Sequence, residues 1–533
     1  MNRWRGGVGN SVALLVLILG AWVAPAGGAD FDDDSHADLA VGVPFENVGA
    51  LADAGALNVL YGTGSGLTAT RDQLWVQDDL SADISEELDL FGDALAAGDF
   101  DGDGAIDLAV GVPWEDIGTA IYGGAVHVLY GLRGVGLTET GNQLWHQDSP
   151  GIGGAAETDD EFGTSLAVGD FDGDGYDDLA VGAMREDIGL ANDAGAVNVI
   201  YGGSGGLASI DDQVWWEGEN GLGGTPEAVD WFGFALVGGD FDGDGYDDLA
   251  VGIPREDVAG VMESGEVVIL YGTSQGLSAA DSQAWAQGRD GVPDAPEEQD
   301  FFGWELGSGD FNGDGFADLG IGAPSENLVG AVVALYGSVD GLTGTGTGIW
   351  AQVESEEGCQ FGSSLVAGDL DGDGHDELVV GIPWEDLGSI LDAGAVEILH
   401  GGPGGLFRPL IFDIWHQDVS GVLDAAEAYD EFGSALAAGD FNHDTYVDLA
   451  VGVPREDTLG VVDAGVVQVL YGSVNGVTAA GNQLWHQNSP GIDGSAEYDD
   501  RFGEALVAVP RGRQIFADGF ETGDTSAWST TVP

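Results

Sequence analysis

A nine-residue acidic pattern recurs seven times along the 533-residue chain and restricts the folds open to it more than any other feature. Copies start at Asp30, Asp99, Asp170, Asp240, Asp310, Asp369 and Asp440, spaced 69–71 residues apart except for one step of 59. A long fixed period marks a repeat architecture, in which a single unit cannot bury its apolar face and must stack on its neighbours.

The third copy, Asp170-Phe171-Asp172-Gly173-Asp174-Gly175-Tyr176-Asp177-Asp178, shows the chemistry. Oxygen-bearing side chains occupy positions one, three, five and nine, with glycine between them. Carboxylates this dense repel one another unless a cation neutralises them, and Ca²⁺ accepts six to eight oxygens in flexible geometry. Glycine supplies the positive-φ turns that aim alternate side chains inward. The expected ligands are Asp30, Asp32, Asp34 and Asp38; Asp99, Asp101, Asp103 and Asp107; Asp170, Asp172, Asp174 and Asp178; and Asp240, Asp242, Asp244 and Asp248. The remaining copies offer Asp310, Asn312, Asp314 and Asp318; Asp369, Asp371, Asp373 and Glu377; and Asp440, Asn442, Asp444 and Asp448. Position seven varies in side chain, so it is expected to give a backbone carbonyl, from His36, Ala105, Tyr176, Tyr246, Phe316, His375 and Tyr446. Up to seven Ca²⁺ are expected. Copies two to six should bind most strongly, because the first and seventh place Asp33, Ser35, His443 and Thr445 where the others have glycine.

The loop is not an EF-hand. That motif needs a bidentate Glu at position twelve and flanking helices, whereas position twelve of the third copy is Val181 in an apolar run that reads as a buried strand.

Each repeat reads as four short strands. In the third copy these are Thr164 to Val168, Leu179 to Val181, Gly195 to Gly202, and a segment around Gln213-Val214-Trp215. Gly and Asn/Asp clusters punctuate the junctions, and no stretch has helical periodicity. Seven such units describe a seven-bladed all-β propeller over residues 27–509. The first copy lacks the Phe-Gly strand that precedes every other loop, and the chain carries an orphan strand, Phe502 to Val509, with no loop after it. The orphan is expected to complete the first blade and close the ring.

The formal net charge is −82, and all twelve basic residues are arginine. Nucleic acid and anionic membranes both require basic patches, so neither is an expected partner. Seven divalent cations offset only part of this charge; the remainder suits solubility and a saline habitat. Residues 1–26 read as a secretory signal peptide: Arg3 and Arg5, an apolar stretch from Val12 to Val23, then Ala24-Pro25-Ala26. Nothing else is apolar and long enough to span a membrane. Cys359 is the sole cysteine, which excludes an intramolecular disulfide and leaves metal as the available staple.

The order Phe232-Gly233, Gly239-Asp240, the acidic loop, then Asp248-Leu249-Ala250-Val251-Gly252-Ile253-Pro254 resembles the FG-GAP repeat of integrin α-chain β-propellers. The resemblance covers roughly residues 30–509. It implies calcium loops on a lower rim, and ligand-facing loops between the second and third and between the fourth and first strands. It implies an extracellular protein or glycan ligand and a role in adhesion. The chain has no inserted adhesion domain, leg domains or membrane span, so signalling through a second subunit is not implied; it also looks like secreted bacterial FG-GAP proteins.

Other residues repeat in register. Trp75, Trp145, Trp215, Trp285, Trp350, Trp415 and Trp485 occupy the fourth strand, followed two residues later by Gln or, in the third copy, Glu217. The ring could stack on sugars, but one Trp per blade is what packing requires, with Gln expected to pair with backbone. The pairs Glu46-Asn47, Glu115-Asp116, Glu186-Asp187, Glu256-Asp257, Glu326-Asn327, Glu385-Asp386 and Glu456-Asp457 suit loop capping or secondary cation binding better than acid–base catalysis, which needs one asymmetric site. Cys359 reads as a drifted repeat position where other copies have Asp, and His146, His416 and His486 as surface or packing residues. Residues 510–533 leave the repeat as a tail of unassigned role. The expected function is a secreted, non-enzymatic, calcium-binding adhesion or ligand-binding module; the alternatives are a polysaccharide-active lyase or hydrolase, or a lectin.

Overall fold

The second strand of every repeat carries a continuous apolar run, in blade three all of Asp178–Ala183 beyond its opening Asp, and every residue of the strand is buried. A run of this kind must be covered on both faces, and the computed structural model shows what covers it. Seven four-stranded antiparallel sheets are arranged as the blades of a propeller. In blade three the strands run outward as Phe162–Gly169, Asp178–Ala183, Ala196–Tyr201 and Ala208–Trp215. First strands of successive blades touch in a closed ring about the axis. The structure describes residues 29–508 apart from 81–83, 353–357 and 411–412. The proposed signal peptide and the tail lie outside the described residues.

No blade has a core of its own. Each of the seven apolar clusters takes residues from two adjacent blades: Phe171, Val197, Val199 and Trp215 of blade three, for example, pack with Leu249, Val251 and Leu270 of blade four. The ring closes as expected. Ala505–Val507 lies antiparallel to Leu39–Val43 with Ala40 opposite Val507 and Gly42 opposite Ala505, and the cluster that includes Phe502 joins blade seven to blade one.

The Phe-Gly pair bolts each blade to the one before. Phe162 is fully buried, and its N–H donates to the Gly123 carbonyl at 3.2 Å. Gly163 sits at φ +97°, and a Cβ there would lie 2.5 Å from the Ala125 carbonyl, so only glycine combines that conformation with that approach. The same Phe N–H bond recurs at all seven junctions, including Phe502 to Ala464 at 3.0 Å.

The outer strand starts earlier than its Trp suggests, at Ala208 in blade three. Its first half, Ala208-Ser209-Ile210-Asp211, is half-buried to exposed and carries no apolar alternation, a weak strand signal, and a register shift between Val199 and Tyr201 bends it. Helical structure among the described residues is confined to short 3-10 turns such as Gln77–Asp79. None of it is long and apolar enough to cross a membrane.

Candidate metal centres on one rim

Six of the acidic loops join a first strand to a second strand, and the Asp30 loop leads into the second strand of blade one, Leu39–Val43, so the alternation of strand direction places all seven on one rim. The first Asp of each loop folds it. In blade three, Asp170 Oδ1 accepts the N–H of Asp174 at 3.0 Å and Oδ2 that of Gly175 at 3.1 Å. Asp174 in turn accepts from Tyr176 N–H at 3.1 Å. The ninth residue ties the loop to the sheet: Asp178 Oδ2 accepts from Phe171 N–H and Oδ1 from Gly202 N–H, both at 2.8 Å. Glu377 makes the corresponding bonds in blade six, to Leu370 at 2.8 Å and Gly401 at 3.4 Å.

The expected ligands at positions one, three and nine converge in the first three copies. One oxygen from each of positions one, three and nine falls within 4.8 Å of the others in Asp30/Asp32/Asp38, Asp99/Asp101/Asp107 and Asp170/Asp172/Asp178. Position nine is the most buried of them, and burial, followed by nearby carboxylates, opposes its ionisation. Asp107, Asp178 and Glu377 are pushed up to about 9, and Asp248, Asp318 and Asp448 to about 8. Backbone N–H groups accepted by these carboxylates offset part of the shift. Asp32 Oδ1 and Asn442 Oδ1 are buried without a hydrogen-bond partner. An all-oxygen donor set with orphaned oxygens and little counter-charge fits a hard divalent cation.

Position seven does more than its variable side chain suggests. The Tyr176 ring lies over Gly102, the fourth residue of the preceding loop, where a Cβ would meet it at 2.5 Å. Tyr246 covers Gly173 and Phe316 covers Gly243 in the same way. The fourth-position glycine therefore answers both to its φ and to the neighbouring ring. The two loops lacking it differ in kind. His443 meets His36 of the first loop with ring centroids 5.2 Å apart. Asp33 precedes a loop with Ala105 at position seven, and pairs with Arg133. Asp33, Ser35, His443 and Thr445 all adopt positive φ, at 53°, 76°, 57° and 81°.

Two features of the rim escaped the sequence. Arg71 pairs with Asp32 inside the first loop. In blade six, His400 stands where the other blades have Tyr; its Nε2 is 3.3 Å from Asp413, and a ring nitrogen joins Asp371 and Glu377 as a candidate ligand. The signal was present as a paired departure from the repeat, Tyr to His400 and Gln to Asp413.

On the opposite rim, the seven Trp side chains are buried or half-buried and each packs into an inter-blade cluster. The expectation that the following Gln pairs with backbone is corrected. Gln77, Gln147, Gln287, Gln417 and Gln487 donate their amides to Glu115, Glu186, Glu326, Glu456 and Glu46 of the next blade. Each of those Glu carboxylates is carried over the end of the neighbouring outer strand, where it is sunk too deeply to go without a donor. The second residue of the pair caps its own loop, as Asp187 Oδ1 does in accepting from Asp193 N–H at 2.9 Å. Cys359 is buried and its thiol donates to the Val329 carbonyl at 3.1 Å, a packing role.

Comparison with known proteins agrees with this architecture. The FG-GAP repeat model matches residues 91–129, 162–200, 232–270, 302–347, 361–399 and 432–470, the first three strands of blades two to seven. Integrin alpha-PS2 of Drosophila melanogaster is 32 % identical over 273 residues, 48 % of this chain and 18 % of the integrin. Phosphatidylinositol-glycan-specific phospholipase D of Mus musculus is 32 % identical over 157 residues, 28 % of this chain and 18 % of that protein. The chain thus spans about a fifth of the length of these relatives. A putative 6-phosphogluconolactonase from Bacteroides uniformis superposes with a TM-score of 0.44 at 10 % identity, over 89 % of this chain and 99 % of that one; so distant a likeness carries no argument. Six matched repeats, and a seventh split between the first loop and the Phe502-Gly503 strand, make this chain an FG-GAP repeat β-propeller protein.

Proposed function

We propose that the chain is a secreted, calcium-stapled binding module that engages an extracellular protein or glycan through the loops opposite the metal rim, without catalysis of its own. The similarity to an integrin alpha chain over nearly half of the chain carries the binding reading. The calcium reading rests on the acidic loops, whose carboxylate oxygens fall within 4.8 Å of one another in the first three copies, in a chain with twelve basic residues against 94 acidic ones. Occupied loops stabilise the fold by mass action and hold the ligand-facing loops in place. Immobilised protein screened against a glycan array and extracellular-matrix proteins, with and without Ca²⁺, is expected to show calcium-dependent retention. Turnover of anionic polysaccharides by the purified chain, abolished by a point substitution that leaves the melt unchanged, would replace the binding reading with an enzymatic one.

A further inference from the structure

One blade junction breaks the sevenfold pattern. Where five junctions show Gln donating to Glu, the junction of blades three and four has Glu217 facing Glu256. Glu266 joins them, at a position held by Ala56, Ala125, Ala196, Ala331, Ala395 and Val466 in the other blades. Arg289 Nη1 lies 2.6 Å from Glu266 Oε1. Two carboxylates and an arginine thus enter one site together, on the rim away from the acidic loops.

We propose that Glu217, Glu256 and Glu266 bind a divalent cation of the calcium class at this junction, distinct from the seven loop sites. One oxygen of each lies within 4.8 Å of the others, about twice a Ca–O bond of ~2.4 Å. Glu217 is 3 % exposed, and its Oε2 is buried with no hydrogen-bond partner; Glu256 Oε2 is in the same condition. Glu217 is also held in a cradle, since a Cβ on Gly224 would fall 2.2 Å from its Oε1. Three carboxylates against one guanidinium leave a formal charge of −2, which a divalent cation cancels. Arg289 occupies Glu266 Oε1 and leaves the other oxygen for the ion. Burial, then the neighbouring carboxylates, pushes Glu217 up to about 9 and Glu256 to about 8, so a proton is the rival occupant and must leave when the cation binds.

The repeat itself supplies gentle variants. Glu217→Gln installs the residue of six other blades, and Glu266→Ala that of five, so neither threatens the fold. Bound Ca²⁺ per chain is measured by atomic emission after equilibrium dialysis of wild type and both variants. The count is expected to fall by one in each, while a loop variant (Asp172→Ala with Asp174→Ala) loses one independently, so failure of the loops and of this site are told apart. The same count in wild type, Glu217→Gln and Glu266→Ala overturns the proposal and leaves a shared proton as the occupant.

Discussion

Arg71, on the outer strand of blade one, pairs with Asp32, the third residue of the first acidic loop. The guanidinium occupies a carboxylate that a cation would otherwise hold, and the same loop carries Asp33 and Ser35 at positive φ. Non-glycine residues in that region are strained. We expect the first loop, and the seventh with His443 and Thr445, to bind Ca²⁺ more weakly than the five between them. Calorimetric titration should resolve two affinity classes, and a single class for all seven sites would contradict this. Arg71→Ala should tighten the first site by up to about fivefold, equivalent to about 1 kcal/mol.

Chelation should destabilise the ring as a whole. A site at a hundredfold excess of cation over its Kd contributes about 2.7 kcal/mol, so several together rival the ~5–15 kcal/mol stability of an ordinary domain. EDTA is expected to lower the melting temperature by more than about 10 °C. Asp172→Ala with Asp174→Ala should produce a smaller part of that loss. A melt indifferent to EDTA would show that the loops are metal-free turns.

Calcium should remove a pH dependence that the cation-free fold carries. In the cation-free fold, buried Asp107, Asp178 and Glu377 hold protons up to about pH 9, whereas the unfolded chain releases them near pH 4. The folded state then binds more protons than the unfolded one, so stability falls as pH rises from about 4 to about 9. Calcium needs the ionised ligands, so the gap between calcium-loaded and cation-free melting temperatures should widen over the same range. Thermal melts at stepped pH check this, and a gap that narrows with rising pH would refute it.

Loss of the closing strand should undo the ring. Phe502 is fully buried between blades seven and one, and Phe502→Ala should cost about 3–5 kcal/mol. Removing residues 502–533 should expose the edge of Leu39–Val43 and cause aggregation or a broadened melt. Light scattering and calorimetry of the truncated chain decide the matter, and a melt like that of the intact protein would rule out the closing role.

The propeller was legible because its markers are local and repeated. Phe-Gly, the acidic loop and the apolar second strand lie within one window of sequence, and the missing first strand of blade one was matched by the surplus one at Phe502. What stayed hidden joins residues distant in the sequence, across blades or across the strands of one blade. Gln77 and Glu115 are 38 residues apart and meet only across a junction; Arg71 reaches Asp32 from the other end of its blade; Tyr176 covers a glycine in the loop before its own. Glu217 and Glu266 could be seen only as departures from their repeat positions, and the chemistry of the departure needed the geometry.

The pairing of Val41 with Leu506 joins strands some 465 residues apart. At synthesis rates of about 5–20 residues per second, the first blade waits roughly 20–90 s for its innermost strand. Throughout that interval a buried-type strand, Leu39–Val43, presents an open edge to other nascent chains. A chain whose acidic residues so outnumber its arginines carries its own guard against that hazard, since every copy repels every other before its ring is shut.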